Sequence, residues 1–171
     1  MTQELTDIRT CILEGRYNEA LMLVDELEGM SKKAILQNIE SSIVRMLIHL
    51  IKNQVEQRLT TSWAASIRDS ILKIRGLNIK ENQTSYYIKQ DEWDEFLEES
   101  LSDAIFTASD EVANGAYNPR QLQKLVDKTQ IVKTASSFLN LIYSPSSKNL
   151  RDLIYSELLK LPGGEEWDRE N

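Results

Sequence analysis

The side chain best suited to chemistry is the lone histidine, His49. A histidine titrates near neutral pH and binds first-row metals, so it is the first residue to test for catalysis or ligation. A metal on a helix needs further ligands one turn away, three or four positions along. Those positions are occupied by Arg45, Met46, Lys52 and Asn53, which offer no carboxylate, thiol or second imidazole. One histidine also rules out the paired Glu-x-x-His ligands of di-iron bundles. The single cysteine, Cys11, lies on the apolar side of a helix and has no histidine partner nearby in sequence, so a thiolate nucleophile is not expected. Gly-x-Ser-x-Gly and glycine-rich phosphate loops do not occur. The expectation is therefore no catalytic residue, no resident metal and no cofactor. His49 reads as a boundary residue donating a hydrogen bond to a neighbouring helix.

Two charged patterns carry alternative chemistry. Glu95 and Glu98 form a Glu-x-x-Glu step, one half of the ligand set with which helical nucleotide hydrolases hold Mg²⁺. The other half is missing, because Asp127, Asp152 and Glu157 follow at no useful spacing. The second pattern is basic. Arg45 and Lys52 are seven apart on one helix, Arg68 and Arg75 seven apart on the next, with Lys73 and Lys80 nearby. Aligned cations of this kind can track phosphates, so a nucleic-acid-associated protein is one alternative reading. No zinc knuckle, recognition-helix turn or aromatic platform accompanies the strip, which ranks nucleic acid behind a protein partner.

These residues sit on helices. Thr2 starts a helix bearing Leu5, Ile8, Cys11 and Ile12, and Gly15 ends it. A second helix runs from Tyr17 through Ala20, Leu21, Val24 and Leu27 and is expected to stop at Gly29, giving a helical hairpin. From Ser31 to Gln57 the apolar pattern is unbroken and too broad for one stripe. Ile35, Leu36, Ile39, Ile43, Met46, Leu47 and Leu50 share a main face, and Val44, Ile48, Ile51 and Val55 a second beside it. Such a helix requires cover on two sides. Thr60 to Ser62 cap a fourth helix carrying Trp63, Ile67, Ile71 and Ile74, with Gly76 as its stop.

Residues 78–90 read as a loop, with a short alternation at Tyr86 to Ile88 that has no strand to pair with. An acidic amphipathic helix spans Asp91 to Asn114. Asn118-Pro119 with Gln121 matches an N-cap, a first-turn proline and a capping box. Helical patterns resume through Tyr143, break at Ser144 to Ser147, and return from Asn149 to Lys160. Residues 162–171 read as a mobile tail unless Trp167 docks.

The first half resembles a known family. Glu14-Gly15-Arg16-Tyr17, Glu26-Leu27-Glu28-Gly29-Met30, Met46 through Lys52 and Ser62 through Arg68 follow one another in the order and spacing of domain of unknown function family number 29, a bacterial and mainly cyanobacterial group. The resemblance covers about residues 8–77 and includes a family histidine at His49. It departs at Asn53 to Arg58 and is not recognisable after about Ala113. It implies a small helical bundle and assigns no activity.

Composition agrees with that class. The chain has 171 residues, 41% apolar, with a net charge of −7. Residues 1–81 are balanced, at 11 basic against 11 acidic, whereas residues 82–171 carry 9 against 16. A single cysteine and no apolar leader make a reducing cytoplasm the expected compartment. The richest apolar window, Ile43 to Ile51, is interrupted by Arg45 and His49, so no membrane span is expected.

The expected architecture is an all-α helical bundle. Residues 1–115 form an up-and-down four-helix unit plus the acidic helix, residues 116–161 pack on it, and residues 162–171 trail. The expected function is a non-enzymatic interaction or adaptor protein binding an unidentified protein, with self-association open. His49, Trp63, Arg68, Glu95 and Glu99 are its candidate surface, Trp63 as the anchor.

Overall fold

A computed structural model describes residues 2–80, 82, 84–144 and 149–170. Among them are eight α-helices, three 3-10 turns and no strand. The helices are α1 (Thr2–Leu13), α2 (Tyr17–Glu56), α3 (Thr61–Asn78), α4 (Trp93–Ala108), α5 (Pro119–Leu125), α6 (Lys128–Asn140), α7 (Leu150–Leu159) and α8 (Gly164–Glu170). The fold is the expected all-α bundle, with a different division. The expected stop at Gly29 is absent: α2 runs 40 residues straight through it, so the second and third helices of the sequence reading are one. A glycine inside a helix costs only about 1 kcal/mol, too little to break an element with strong helix formers on both sides. The chain separates into two compact units within α2, residues 1–38 and residues 39–171.

The first unit is a helical hairpin. Gly15 turns the chain at φ +72°, a left-handed conformation that favours glycine, and the Arg16 amide closes the turn on the Cys11 carbonyl at 2.8 Å. Only Glu4, Ile8 and Cys11 on α1, and Ala20, Leu23 and Leu27 on α2, escape full exposure between Thr2 and Ala34. Steps of three and four back along α1 match equal steps forward along α2. That is the seam of two antiparallel helices.

The second unit is densely filled. Ile39, Ile43, Met46, Leu47, Leu50 and Ile51 of α2 are buried, and Val44, Ile48 and Val55 beside them are half-buried. From Ile39 onward the main face of the long helix is thus closed and its second face partly covered, whereas Ile35 and Leu36 of the main face are only half-buried. Helices α4 and α6 pack together, α5 joins α4, and α7 lies against both α3 and α6. Trp93 and Phe138 are the largest fully buried side chains. Helix starts follow local chemistry: Thr60 accepts from the Trp63 amide at 3.1 Å, and Asn118 and Gln121 form the reciprocal capping box around Pro119. The expected stop at Gly76 is also passed, as α3 continues to Asn78.

Asn78 makes the most demanding connection. Fully buried, it donates to the Ile88 carbonyl at 2.9 Å and accepts from the Ile88 amide at 2.7 Å. The Tyr143 hydroxyl donates to the same carbonyl at 2.7 Å and accepts from Trp93 Nε1 at 2.6 Å. Burial pushes the Tyr143 hydroxyl up to about 12, against the lowering effect of the Trp93 and Asn78 donors. This network pins the loop after α3. The alternation at Tyr86 to Ile88 amounts to one antiparallel bridge between Ile79 and Tyr86.

The C-terminal segment is helical. Trp167 of α8 donates to Thr61 at 3.2 Å and lies 5.5 Å from the Tyr155 ring. Gly163 has φ +73°, and a Cβ there would meet the Arg58 Cα at 2.8 Å, so only glycine fits the turn. The expected break at Pro145 to Ser147 lies outside the described residues.

Candidate interaction surface

The nominated residues do not form one site. His49 is half-buried on α2, and its fully buried Nδ1 has no hydrogen-bond partner among the described residues, so the expected bond to a neighbouring helix is not made. Burial, reinforced by Lys52 and Arg45 and opposed by Glu111, pushes its pKa down to about 4. A neutral imidazole beside two cations is held uncharged at neutral pH.

Trp63 is not an exposed anchor. It is 7% exposed, with Lys52 Nζ 5.0 Å and Arg58 Cζ 4.7 Å from its ring centroid, a cation on each of two contacts. Its apolar spacing with Ile67, Ile71 and Ile74 marks a core position, and the structure uses it as one.

Arg68 is exposed and pairs with Asp69 at 3.0 Å. It lines a cleft of about 160 Å³ between α3, α7 and α8, together with Arg151, Tyr155 and Trp167; neither His49 nor Trp63 reaches that cleft. The basic strip is partly spent within the fold. Lys52 bridges to Glu111 at 2.8 Å, and Lys80 stands 5.5 Å from the Tyr87 ring.

Glu95 and Glu99 project to solvent from α4, opposite its buried face of Trp93, Leu97 and Leu101. Glu98 is exposed as well, and among the described residues no three His, Cys, Asp or Glu side chains gather as metal ligands would. Phe106 is an isolated exposed ring at the other end of the helix.

Among the described residues most of the exposed large apolar side chains lie in the first unit, which the sequence reading passed over. Leu5, Ile12 and Leu13 on α1, and Tyr17, Leu21, Met22, Val24 and Met30 on α2, are all exposed, Leu13 at 79% and Met22 at 70%. Scattered apolar residues are ordinary on a surface, but eight within 30 residues of a two-helix unit are not. Five of them have a common placement. Leu5 and Ile12 follow Glu4 and Cys11 by one residue, and Leu21 and Val24 follow Ala20 and Leu23 by one, a 100° turn from the seam. In antiparallel helices a turn of the same hand from a shared seam leads to the same side. Tyr17, three residues before Ala20, joins them. One side of the hairpin is therefore mainly apolar, with Arg9 and Glu28, which follow Ile8 and Leu27 by one, as the charged residues among them.

By length and mean hydropathy α2 would also pass as a membrane-crossing helix, yet its residues from Ile39 to Ile51 form much of the second unit's core. No curated protein and no solved structure matches the chain. A family model does, that of the Domain of unknown function DUF29, over residues 18–143. The match begins just after the Glu14 to Tyr17 stretch that the resemblance included and runs well past Leu77 to take in α4, α5 and α6. This chain belongs to the DUF29 family.

Proposed function

We propose that this protein is a non-enzymatic helical interaction protein, and that it docks its partner through the apolar side of the α1–α2 hairpin. The observation that carries the reading is the exposure of Leu5, Ile12, Tyr17, Leu21 and Val24 on one side of a unit that has almost no core of its own. Leaving such a surface in water forgoes roughly 25 cal/mol for each Å² that a partner would cover. Among the described residues the second unit has no comparable face. Its acidic helix offers Glu95, Glu99 and the single ring of Phe106, whose charges are fully hydrated and contribute little per contact.

A photo-crosslinking side chain placed at Leu21 in the producing cell tests this reading. Adducts heavier than the 19.7 kDa chain should form from position 21 and not from Gln123, an exposed polar site on α5. Adduct formation at neither position, or equally at both, overturns it.

A further inference from the structure

Resting on the hairpin reading above, we infer that the occupant of this face is a second copy of the same chain, the two hairpins forming a four-helix bundle about a two-fold axis parallel to the helices. In that arrangement α1 of each copy runs antiparallel to α2 of the other, repeating the order already present within the hairpin. Leu5 and Ile12 then interleave with Tyr17, Leu21 and Val24 of the second copy. The existing seam of Ile8, Cys11, Ala20, Leu23 and Leu27 becomes half of a shared core.

Charge supports self-pairing. Arg9 follows Ile8 by one residue, which sets it on the same side of α1 as Leu5 and Ile12, and Asp25 follows Val24 by one, which sets it at the outer edge of the apolar side of α2. Among the described residues neither has an ion-pair partner, whereas Arg16 in the same hairpin holds both Glu14 and Glu19. The two-fold brings Arg9 of each copy beside Asp25 of the other, within one helical turn. An isologous interface uses such a pair twice. The hairpin's shortage of internal core has the same solution, since two antiparallel helices alone bury too little to be stable and four suffice.

Sedimentation of the full chain decides the matter. The wild type should run at twice 19.7 kDa at micromolar concentration, and Leu21→Glu at 19.7 kDa with unchanged helix content, since Leu21 is 61% exposed within one copy. Arg9→Glu should weaken association about tenfold, and so should Asp25→Arg. Mixing those two variants, or combining them in one chain, should restore the wild-type constant, because each edge again meets its opposite charge. A wild type that stays at 19.7 kDa overturns the inference. So does a dimer that survives Leu21→Glu, or a mixture that fails to recover. A monomer that floats with phosphatidylglycerol-containing vesicles would place a lipid surface there instead. If the wild type is monomeric while position 21 still crosslinks in cells, self-pairing falls and the docking reading stands.

Discussion

The two units are built from the same kind of helix and treat their apolar residues in opposite ways. In residues 39–170 the apolar stripes of α2, α3, α4, α6 and α7 are turned onto one another, and Ile43, Ile67, Leu97 and Ile154 are wholly buried. In residues 2–38 the stripes of α1 and α2 have only each other, and Leu5, Leu21 and Val24 remain in water. Apolar residues recur at helical spacing in both. What differs is the number of partners within reach. A residue's pattern states that it needs covering; whether it is covered depends on neighbours that the pattern does not name.

That contrast is open to direct attack. The largest effect is expected from Trp93→Ala, which empties a fully buried site and leaves the Tyr143 hydroxyl without its 2.6 Å donor. Truncation of such a ring costs about 3–5 kcal/mol in denaturant unfolding. Leu21→Ala, made on the dilute chain, should change stability by less than about 0.5 kcal/mol. Comparable losses at the two positions would show that the hairpin is packed as tightly as the bundle, and the contrast would be gone.

Asn78→Ala comes next, at about 2–3 kcal/mol. It strips the Ile88 amide of its acceptor and removes one of the two donors on the Ile88 carbonyl, both in a buried place. Hydrogen exchange should quicken at Ile88 and its neighbours and leave α1 untouched. Faster exchange throughout α1 would mean that the two units unfold as one.

How much of this was legible in advance follows from how far apart the interacting residues lie. The Asn118 cap, the Thr60 cap and the turn at Gly15 are complete within five residues, and their sequence signatures suffice. Asn78 meets Tyr143 from 65 positions away, and Lys52 meets Glu111 from 59, so neither contact has a local signal. Trp63 shows the limit at the candidate site. Its spacing with Ile67, Ile71 and Ile74 favours a core residue over an exposed anchor, and its burial in the fold, with Lys52 and Arg58 against its ring, decides for the core. The hairpin's apolar face was visible as letters, Leu5, Ile12, Leu21 and Val24, yet a helical wheel carries no information about exposure. The stops at Gly29 and Gly76 failed for a related reason: glycine permits a break and does not compel one.

His49 gives the contrast a pH dependence, because it lies in the second unit and its ordinary value is near neutral pH. Its ordinary value of 6.5 falls to about 4 in the fold. Below pH 6.5 the unfolded chain takes up a proton that the folded chain refuses until about pH 4, so stability declines as pH falls through that window. With the ring only half-buried, solvent screening reduces the effect to about 1 kcal/mol between pH 7 and pH 5. His49→Gln should flatten the profile over that interval, leaving the carboxylates' contribution below it. A slope unchanged by the substitution would mean that the imidazole is protonated in the fold.

The smallest effect sharpens the contrast from the side of the first unit. Gly29 lies inside α2 with nothing within 4 Å of a built Cβ, so alanine there meets no obstacle in a single copy. Alanine loses less backbone entropy than glycine on entering a helix, and Gly29→Ala should therefore stabilise by about 0.5–1 kcal/mol. The gain belongs to the helix around it and is read as slower amide exchange between Asp25 and Lys33, with little change in the second unit. Gly164→Ala is the counterpart: its Cβ would stand 2.5 Å from the Leu158 carbonyl oxygen, and the same substitution must destabilise. Opposite signs at the two glycines follow from open space around one and packed backbone around the other. If Gly29→Ala also destabilises the chain, something that covers Gly29 in solution has been displaced, and the first unit is not bare.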